Sequence, residues 1–240
     1  MPCMVIITML LLLDDLLSLI APHKCKRCGV VGSTLCQRCI NDTLKEINPF
    51  CVYCGAMTNN TNLCGKCRKK SPFDDIYAVG YRQGALKHLV GDYKYHSEAA
   101  SCRPIAQLFC DRLAPTDLPD DIAIVYIPTI PAHIRRRGFD HMGLVARQIR
   151  RILPCHVASL FIRVDNTSQH ELSERQRHER IQSSLALNAK YIARHGVPQS
   201  VLIIDDIWTT GATLEWAAIL LRRAGVEKIY AGVICRQPKD

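Results

Sequence analysis

Eight cysteines in the first third of the chain have the spacing of metal ligands. They form four C-x-x-C pairs, which are Cys25/Cys28, Cys36/Cys39, Cys51/Cys54 and Cys64/Cys67. Two residues between the cysteines of a pair let both sulfurs turn toward one ion, and four thiolates suit tetrahedral Zn²⁺ with no position left for water. The sequence therefore predicts two closed structural zinc sites, with iron–sulfur ligation or a thiol redox pair as the alternatives.

The cysteine pairs lie in an internal repeat. The segment CKRCGVVGSTLCQRC, which begins at residue 25, is echoed 26 residues later by CVYCGAMTNNTNLCGKC. Each copy contains a complete set of four ligands, and its glycine (Gly29 or Gly55) can adopt the positive φ that such a knuckle often needs. The repeat favours sequential pairing within each copy, although the spacing also permits a cross-braced arrangement of the first pair with the third.

A second chemical motif occupies residues 201–214, VLIIDDIWTTGATL. An apolar strand ends in two adjacent acids, Asp205 and Asp206, which could accept hydrogen bonds from two vicinal hydroxyls. A run of small and hydroxylated residues then leads into an apolar helix, where backbone N–H groups and the positive helix end favour a phosphate; these residues are Thr209, Thr210, Gly211, Ala212 and Thr213. The motif predicts a ribose 5-phosphate site, and it is neither a Walker loop nor a dinucleotide fingerprint.

Strands that alternate with helices must position this motif. Short apolar runs predict buried strands at residues 76–80, 122–127, 201–204 and 229–234, and helical periodicity appears at 100–113, 142–153 and 214–224. This alternation indicates an α/β fold whose mostly parallel sheet is covered by helices on both faces.

Composition and charge limit the class of protein. The 240 residues are 48% hydrophobic and 22% charged, which excludes a disordered or low-complexity chain. The net charge of +9 permits a polyanionic partner. The apolar run at residues 5–13 is too short for a membrane span and lacks the charged start of a signal peptide, so we expect no stable membrane insertion and a cytoplasmic protein.

The basic stretch 68–70 and the following Ser71-Pro72 predict a boundary between two parts of the chain. Residues 1–70 would hold an N-terminal helix and the double zinc ribbon, and residues 71–240 would form the α/β domain. Nine basic and four acidic residues give the first part a charge of +5, which is compatible with nucleic-acid contact.

Residues 201–214 resemble the phosphoribosyl pyrophosphate (PRPP) signature of type I phosphoribosyltransferases, and together with the double zinc ribbon they resemble the ComF family of competence proteins. The match extends to Tyr81, Gly84, Leu86 and Lys94, to Pro128 and the RRRGF run at 135–139, and to Gln169, Leu172 and Arg177. This chain departs from the family pattern where Asp140-His141 replaces Asn-Gln, Arg180 replaces Asn and Leu185 replaces Phe.

The resemblance implies a type I phosphoribosyltransferase-like parallel sheet flanked by helices. It further implies that Asp205 and Asp206 hold the ribose hydroxyls, that the loop 209–213 holds the 5-phosphate, and that Mg²⁺ accompanies PRPP. Lys94 and Arg137 would neutralise the leaving pyrophosphate. Neither His133 nor His141 is assigned a catalytic role. Thr209 stands where enzymes of 6-oxopurines carry an acid, which disfavours hypoxanthine or guanine as the acceptor.

The implied function is transfer of a phosphoribosyl group to an acceptor that the sequence does not identify. The alternatives are a non-catalytic PRPP-binding protein and a zinc-ribbon factor that binds DNA. Expected partners are PRPP, single-stranded DNA, and a helicase or channel for DNA uptake.

Overall fold

The computed structural model describes residues 14, 16–45, 49–59, 61–95, 98–163 and 184–238. The predicted helix at residues 5–13 therefore lies outside the described residues, as do Gln169, Leu172, Arg177 and Arg180. Within the described ranges, no helix combines the length and the apolar character that crossing a membrane requires.

Parallel strands form the centre of the molecule, as predicted. The strands are β1 (Asp75–Tyr81), β2 (Ala123–Tyr126), β3 (His156–Ala158), β4 (Phe161–Arg163), β5 (Leu185–Leu187), β6 (Ser200–Trp208) and β7 (Lys228–Arg236). Five of them make one sheet in the order β1-β7-β6-β2-β3, and every neighbouring pair in it is parallel. The short strands β4 and β5 pair antiparallel beside it.

Helices cover the sheet on both faces. They are α1 (Gln37–Lys45), α2 (Gly65–Arg68), α3 (Gly84–Tyr95), α4 (Cys102–Leu113), α5 (Pro131–Arg137), α6 (His141–Ile152), α7 (Ala189–His195) and α8 (Ala212–Arg223), with a 3₁₀ turn at Ala99–Ser101. The predicted helices at 100–113, 142–153 and 214–224 correspond to α4, α6 and α8. Apolar residues of α3, α4 and α6 pack on one face of the sheet, and those of α8 pack on the other.

The two cysteine repeats join opposite faces of this core. The first ribbon (residues 24–45) contributes Leu35 and Ile40 to the face that carries α3, α4 and α6. The second ribbon (residues 50–68) contributes Val52 and Leu63 to the face that carries α8. Each ribbon is thus part of one of the two main apolar clusters of the fold. The division of the chain into residues 1–70 and 71–240 stays a prediction.

The second ribbon also covers the outer edge of β1. The Asn62 backbone N–H donates to the Ile76 carbonyl at 2.7 Å, and its side-chain Oδ1 accepts from the Ala78 N–H at 2.7 Å. The Ala78 carbonyl accepts from Arg112 Nε at 3.1 Å, and the Ile76 N–H donates to Asp75 Oδ1. An edge strand normally presents such groups unpaired. The second ribbon and α4 therefore complete the hydrogen bonding of the sheet margin.

Candidate functional site

Each cysteine repeat forms its own four-sulfur cluster. Cys25, Cys28, Cys36 and Cys39 make one cluster, and Cys51, Cys54, Cys64 and Cys67 make the other; within each, the sulfurs all lie within 4.8 Å of one another. The sequential pairing is thus confirmed, and the cross-braced alternative is wrong. Four sulfurs at this spacing are the donor set of a structural zinc site.

Backbone N–H groups lower the pKa of one cysteine in each cluster, which favours metal binding. Burial alone would raise the pKa of Cys25 and Cys51, but backbone N–H donors outweigh it and lower the pKa to about 6 and about 7. A lowered pKa favours the thiolate, which is the form that binds metal. Gly29 and Gly55 have φ values of 76° and 79°, as the knuckle prediction required.

The acid pair lies near the carboxyl end of β6, and Asp206 is already surrounded by cations and donors. Its Oδ2 is 2.7 Å from Lys94 Nζ and 2.6 Å from His141 Nε2. Burial would raise the pKa of Asp206, but the His141 hydrogen bond and the Lys94 charge together lower it below its ordinary value. Asp206 is therefore held as a carboxylate by two side chains of the protein itself.

Asp205 has the opposite electrostatic character. Burial and the adjacent charge of Asp206 raise the pKa of Asp205 to about 7. Its Oδ1 accepts a hydrogen bond from the Asp206 N–H at 2.9 Å. One strand end thus carries one firmly ionised acid and one acid that exchanges its proton near neutral pH.

His141 connects Asp206 to the turn after β2. Its Nδ1 lies 2.5 Å from Thr129 Oγ1, and Thr129 Oγ1 lies 2.8 Å from Asp140 Oδ1. Asp140 begins α6 by accepting from the Gly143 N–H, and the buried Tyr93 hydroxyl donates to the His141 carbonyl at 2.6 Å. His141 therefore contacts the predicted site directly, although the sequence pattern assigned it no catalytic role.

Two arginines, Arg137 and Arg163, add positive charge near the acid pair. Arg137 is 8% exposed at the end of α5, and its Nε and Nη1 have no hydrogen-bond partner among the described residues. Its neighbours in the sequence, Arg135 and Arg136, are exposed. Arg163 donates to the Pro128 carbonyl at 3.1 Å and to Ser184 Oγ at 2.8 Å. Burial lowers the pKa of Arg137 and Arg163, the expected direction for cations with an incomplete set of partners.

The predicted phosphate loop follows β6 directly. Thr209 and Thr210 are exposed, Gly211 and Ala212 are buried, and Thr213 lies in the first turn of α8. Gly211 has a φ of 87°, and a Cβ built on it would lie 2.3 Å from the Trp208 ring. Glycine is required here because of the backbone conformation and the indole beneath it.

The structure thus brings Asp206 and Lys94 into contact. Arg137 lies close enough to Asp206 for the two charges to interact, and the loop 209–213 follows closely after the acids in the chain. The eight cysteines form separate clusters. Sequence reasoning missed Thr129, His141 and Arg163. The Asp140-His141 departure from the family pattern was the signal that pointed to one of them.

Comparison with known proteins gives matches over most of the chain. A family model described as "Phosphoribosyl transferase domain" matches residues 134–240. "Competence protein F" of Haemophilus influenzae is 28% identical over 218 residues, which are 86% of this chain and 92% of that protein. "DNA utilization protein YhgH" of Escherichia coli O157:H7 is 30% identical over 197 residues, and the alignment covers 78% of this chain and 84% of that protein. "Competence protein ComFC" of Bacillus subtilis is 24% identical over 198 residues, 80% of this chain and 79% of its own.

One solved structure is that of the allosteric regulatory enzyme of purine biosynthesis, which is 13% identical in sequence. The superposition covers 60% of this chain and 29% of that enzyme's chain, with a TM-score of 0.40. That similarity is too low to add weight. The parallel sheet, the domain match and the two four-cysteine clusters confirm the predicted fold, a type I phosphoribosyltransferase-like domain preceded by a double zinc ribbon.

Proposed function

This chain belongs to the ComF family of competence and DNA utilization proteins, and from that membership and the geometry of its acid site we propose that it binds Mg²⁺-PRPP and transfers the phosphoribosyl group to an acceptor. The observation that carries the proposal is the continuous run of Asp205, Asp206 and the loop 209–213 between β6 and α8.

The acids and the loop have complementary tasks. Asp205 and Asp206 accept hydrogen bonds from the two ribose hydroxyls, and the backbone N–H groups at the start of α8 bind the 5-phosphate. Asp206 is ionised in the free protein, and hydroxyl donors at the site favour loss of the proton from Asp205.

The cations act on the leaving group. Bond cleavage between ribose C1 and the pyrophosphate oxygen sends the bonding electrons to pyrophosphate, so preorganised positive charge stabilises the transition state. Arg137 offers two nitrogens that have no partner among the described residues. Lys94 binds Asp206 in the free protein and would exchange that contact for the pyrophosphate, while His141 continues to orient Asp206.

The residues present also fit a divalent cation together with PRPP. Two adjacent carboxylates, one of which has a pKa raised by burial and by the neighbouring charge, are stabilised when positive charge and hydroxyl donors arrive. Asp205 and Asp206 would hold Mg²⁺ together with PRPP, and the bound ion would supply positive charge that offsets the charge of pyrophosphate.

A double substitution of Asp205→Asn and Asp206→Asn tests the proposal, with Mg²⁺-PRPP binding measured by calorimetry. The two charge-assisted hydrogen bonds lost are worth about 1.5–3 kcal/mol each, so affinity should fall at least about 100-fold. The adjacent exposed acids Asp120 and Asp121 allow the same double change away from the site as a matched control. Equal PRPP binding by the site variant and the wild type would refute the proposal.

The acids should also leave a pH signature in the ligand-free protein. Because the folded-state pKa of Asp205 is raised to about 7, its contribution to stability is present at low pH and is lost as the pH rises through 7. Asp205→Asn should therefore raise the melting temperature relative to the wild type, and by more at pH 8 than at pH 6. A constant difference at both pH values would show that Asp205 keeps an ordinary pKa.

Release of pyrophosphate separates the enzymatic proposal from the alternative of a PRPP-binding protein without catalysis. We expect release from Mg²⁺-PRPP only when an acceptor is present. PRPP binding without release, across a panel of bases and small acids, would favour the non-catalytic alternative.

We also propose contact between the ribbons and single-stranded DNA in a reducing, cytoplasmic setting, with a DNA-uptake helicase or channel as the protein partner. Support comes from exposed cations and from the DNA-related names of the relatives; the cations are Lys24, Arg38, Lys66, Lys69 and Lys70. Lys26 and Arg68 are instead paired with acids of the chain. Affinity for a dT oligonucleotide should fall steeply with salt, and no binding at low salt would remove DNA from the proposal.

A further inference from the structure

A cavity of about 480 Å³ opens at the carboxyl ends of β1 and β7, against the second ribbon. This volume is in the range of small-molecule sites. Its wall is built from both parts of the fold, and none of its lining residues is acidic; these residues are Cys54, Gly55, Tyr81, Gln83, Arg236 and Pro238.

Arg236 is the charged group of this cavity, and its charge lacks a carboxylate. The residue is 3% exposed, and its Nε and Nη2 have no hydrogen-bond partner among the described residues. The guanidinium carbon instead lies 5.4 Å from the Phe50 ring centre and 5.9 Å from that of Tyr81. Ring faces stabilise a cation only in part, so a buried guanidinium whose Nε and Nη2 lack hydrogen bonds is stabilised by an anion that approaches from the cavity.

Sheet register places this cation on the strand next to the acid pair, three residues beyond Val233, which is paired with Asp205. Arg236 is paired with Tyr81 on one side and with Trp208 on the other, and neighbouring strands are about 4.8 Å apart. The cavity is therefore next to the end of β6, on its β7 side. Thr129 and Arg137 follow β2, on the other side of β6. A ribose held by Asp205 and Asp206 would have the leaving-group cations on one side and the Arg236 cavity on the other.

We propose that this cavity receives the acceptor, and that the acceptor is a small planar molecule with a carboxylate or phosphate group that Arg236 binds. The assignment rests on the proposed phosphoribosyl transfer. A nucleophilic atom of the acceptor gives its electron pair to ribose C1, pyrophosphate leaves with the electrons of the broken C1–O bond, and any proton that the attacking atom carries passes to water. Tyr81, half-buried at the wall, provides an aromatic surface for the planar ring.

A small acid fits the cavity better than a nucleic-acid strand does. The guanidinium is recessed at 3% exposure, whereas a strand needs a row of exposed cations along its backbone. The exposed lysines of the ribbons are not among the residues that line this cavity.

The experiment uses nicotinate, a planar ring with a carboxylate, and nicotinamide, its neutral isostere, each titrated into the full-length zinc-loaded protein with Mg²⁺-PRPP present. Gln83→Glu is the central variant, because Gln83 is exposed at the cavity and a carboxylate there would pair with the arginine and repel an anion without disturbing the core. Gln37→Glu makes the same change on the exposed surface of α1 and serves as the matched control. Arg236→Lys is a second variant that keeps the charge but loses the guanidinium geometry.

Nicotinate should bind the wild type and the Gln37→Glu protein at millimolar concentration, and nicotinamide at least about tenfold more weakly. Gln83→Glu should weaken nicotinate binding about 10- to 100-fold and leave zinc content and PRPP affinity unchanged. Phenyl phosphate, in a parallel titration, shows whether carboxylate or phosphate is preferred.

Equal responses to nicotinate and nicotinamide, or no response to either nicotinate or phenyl phosphate, would overturn the proposal. The proposal would also be overturned if the Arg236→Lys protein lost one zinc ion while Gln83→Glu left nicotinate binding unchanged. Arg236 would then only balance the charge of the thiolates of the second cluster, which include Cys54. Arg236→Lys that weakens binding of a dT oligonucleotide, with nicotinate unable to compete, would assign the cavity to nucleic acid. Failure of the wild type to bind Mg²⁺-PRPP would instead refute the proposed function, which the PRPP titration reports separately.

Discussion

The two zinc ribbons share the same order of cysteine, glycine and leucine and have corresponding backbone hydrogen bonds, but they contact different parts of the molecule. In each, the first cysteine accepts at its carbonyl from the knuckle glycine, as in Gly29 to Cys25 and Gly55 to Cys51. The first ribbon reaches the helical face through Lys26, which pairs with Asp92 at 2.8 Å and with Glu98 at 3.0 Å.

The second ribbon contacts the sheet and the candidate site instead. Phe50 stacks on Tyr81 at the end of β1, with ring centres 3.9 Å apart. Tyr53 packs edge-on against Trp208, with ring centres 5.3 Å apart, and Trp208 supports Gly211 of the phosphate loop. The comparison indicates that one copy of the duplicated four-cysteine motif attaches to the helical face and the other packs beside the candidate site.

Loss of one zinc site should therefore affect the two ribbons unequally. Cys51→Ser should remove the second zinc ion and with it the cover of β1, which abolishes Mg²⁺-PRPP binding, because structural zinc contributes about 10–16 kcal/mol in small zinc peptides. Cys25→Ser, the matched change, should also leave one zinc per chain but keep measurable binding. Zinc analysis with calorimetry checks both. Equal loss of PRPP binding would mean that the ribbons support the site equally.

A smaller difference in stability is expected between substitutions of Thr34 and Asn62. These two residues occupy the same position in the two repeats, directly before the leucine that precedes the third cysteine. Asn62→Ala leaves the Ala78 N–H and Arg112 Nη2 without their acceptor, so the free energy of unfolding should fall by about 3 kcal/mol. Thr34 is 1% exposed, and its hydroxyl has no hydrogen-bond partner among the described residues, so Thr34→Val should be neutral or slightly stabilising. Denaturant unfolding measures both, and a larger loss for Thr34→Val would reverse the comparison.

The smallest expected effect lies at Tyr53. Tyr53→Ala removes an aromatic pair worth about 0.5–1.5 kcal/mol, and we expect Mg²⁺-PRPP affinity to fall about 2- to 10-fold with zinc content unchanged. Tyr53→Phe keeps the ring and should bind normally. Arg27, at the same place in the first repeat, contacts Thr43 of its own ribbon, so Arg27→Ala should not change PRPP affinity. Weaker PRPP binding by Tyr53→Phe would show that the hydroxyl, and not the ring, matters.

Features encoded in local sequence were predictable. The ligand sets followed from the repeat, the long strands from apolar runs such as 201–204, and the loop from its small residues next to an acid pair. The strands β3, β4 and β5 have three residues each, too few to show a period. The helix α3 contains Gly84, Gly91 and several polar residues, and its apolar positions gave no clear helical pattern.

Contacts between distant segments could not be predicted in the same way. His141 and Asp206 are 65 positions apart and meet only because β2 and β6 are neighbours in the sheet. Lys94 was predicted to bind pyrophosphate, and in the free protein it binds Asp206. The unsatisfied guanidinium of Arg236 depends on which rings surround it, and residue type alone carries no information about that.

The covered margin of β1 has a consequence for how the protein behaves when zinc is scarce. With Asn62 in place, the N–H and the carbonyl of both Ile76 and Ala78 already have hydrogen-bond partners, which disfavours pairing with a strand from another molecule. A chain that loses its second zinc ion would uncover a row of donors and acceptors flanked by the apolar residues of β1. Metal depletion should therefore produce self-association through this margin, and we expect the second ribbon to protect this edge from aggregation as well as to pack beside the candidate site.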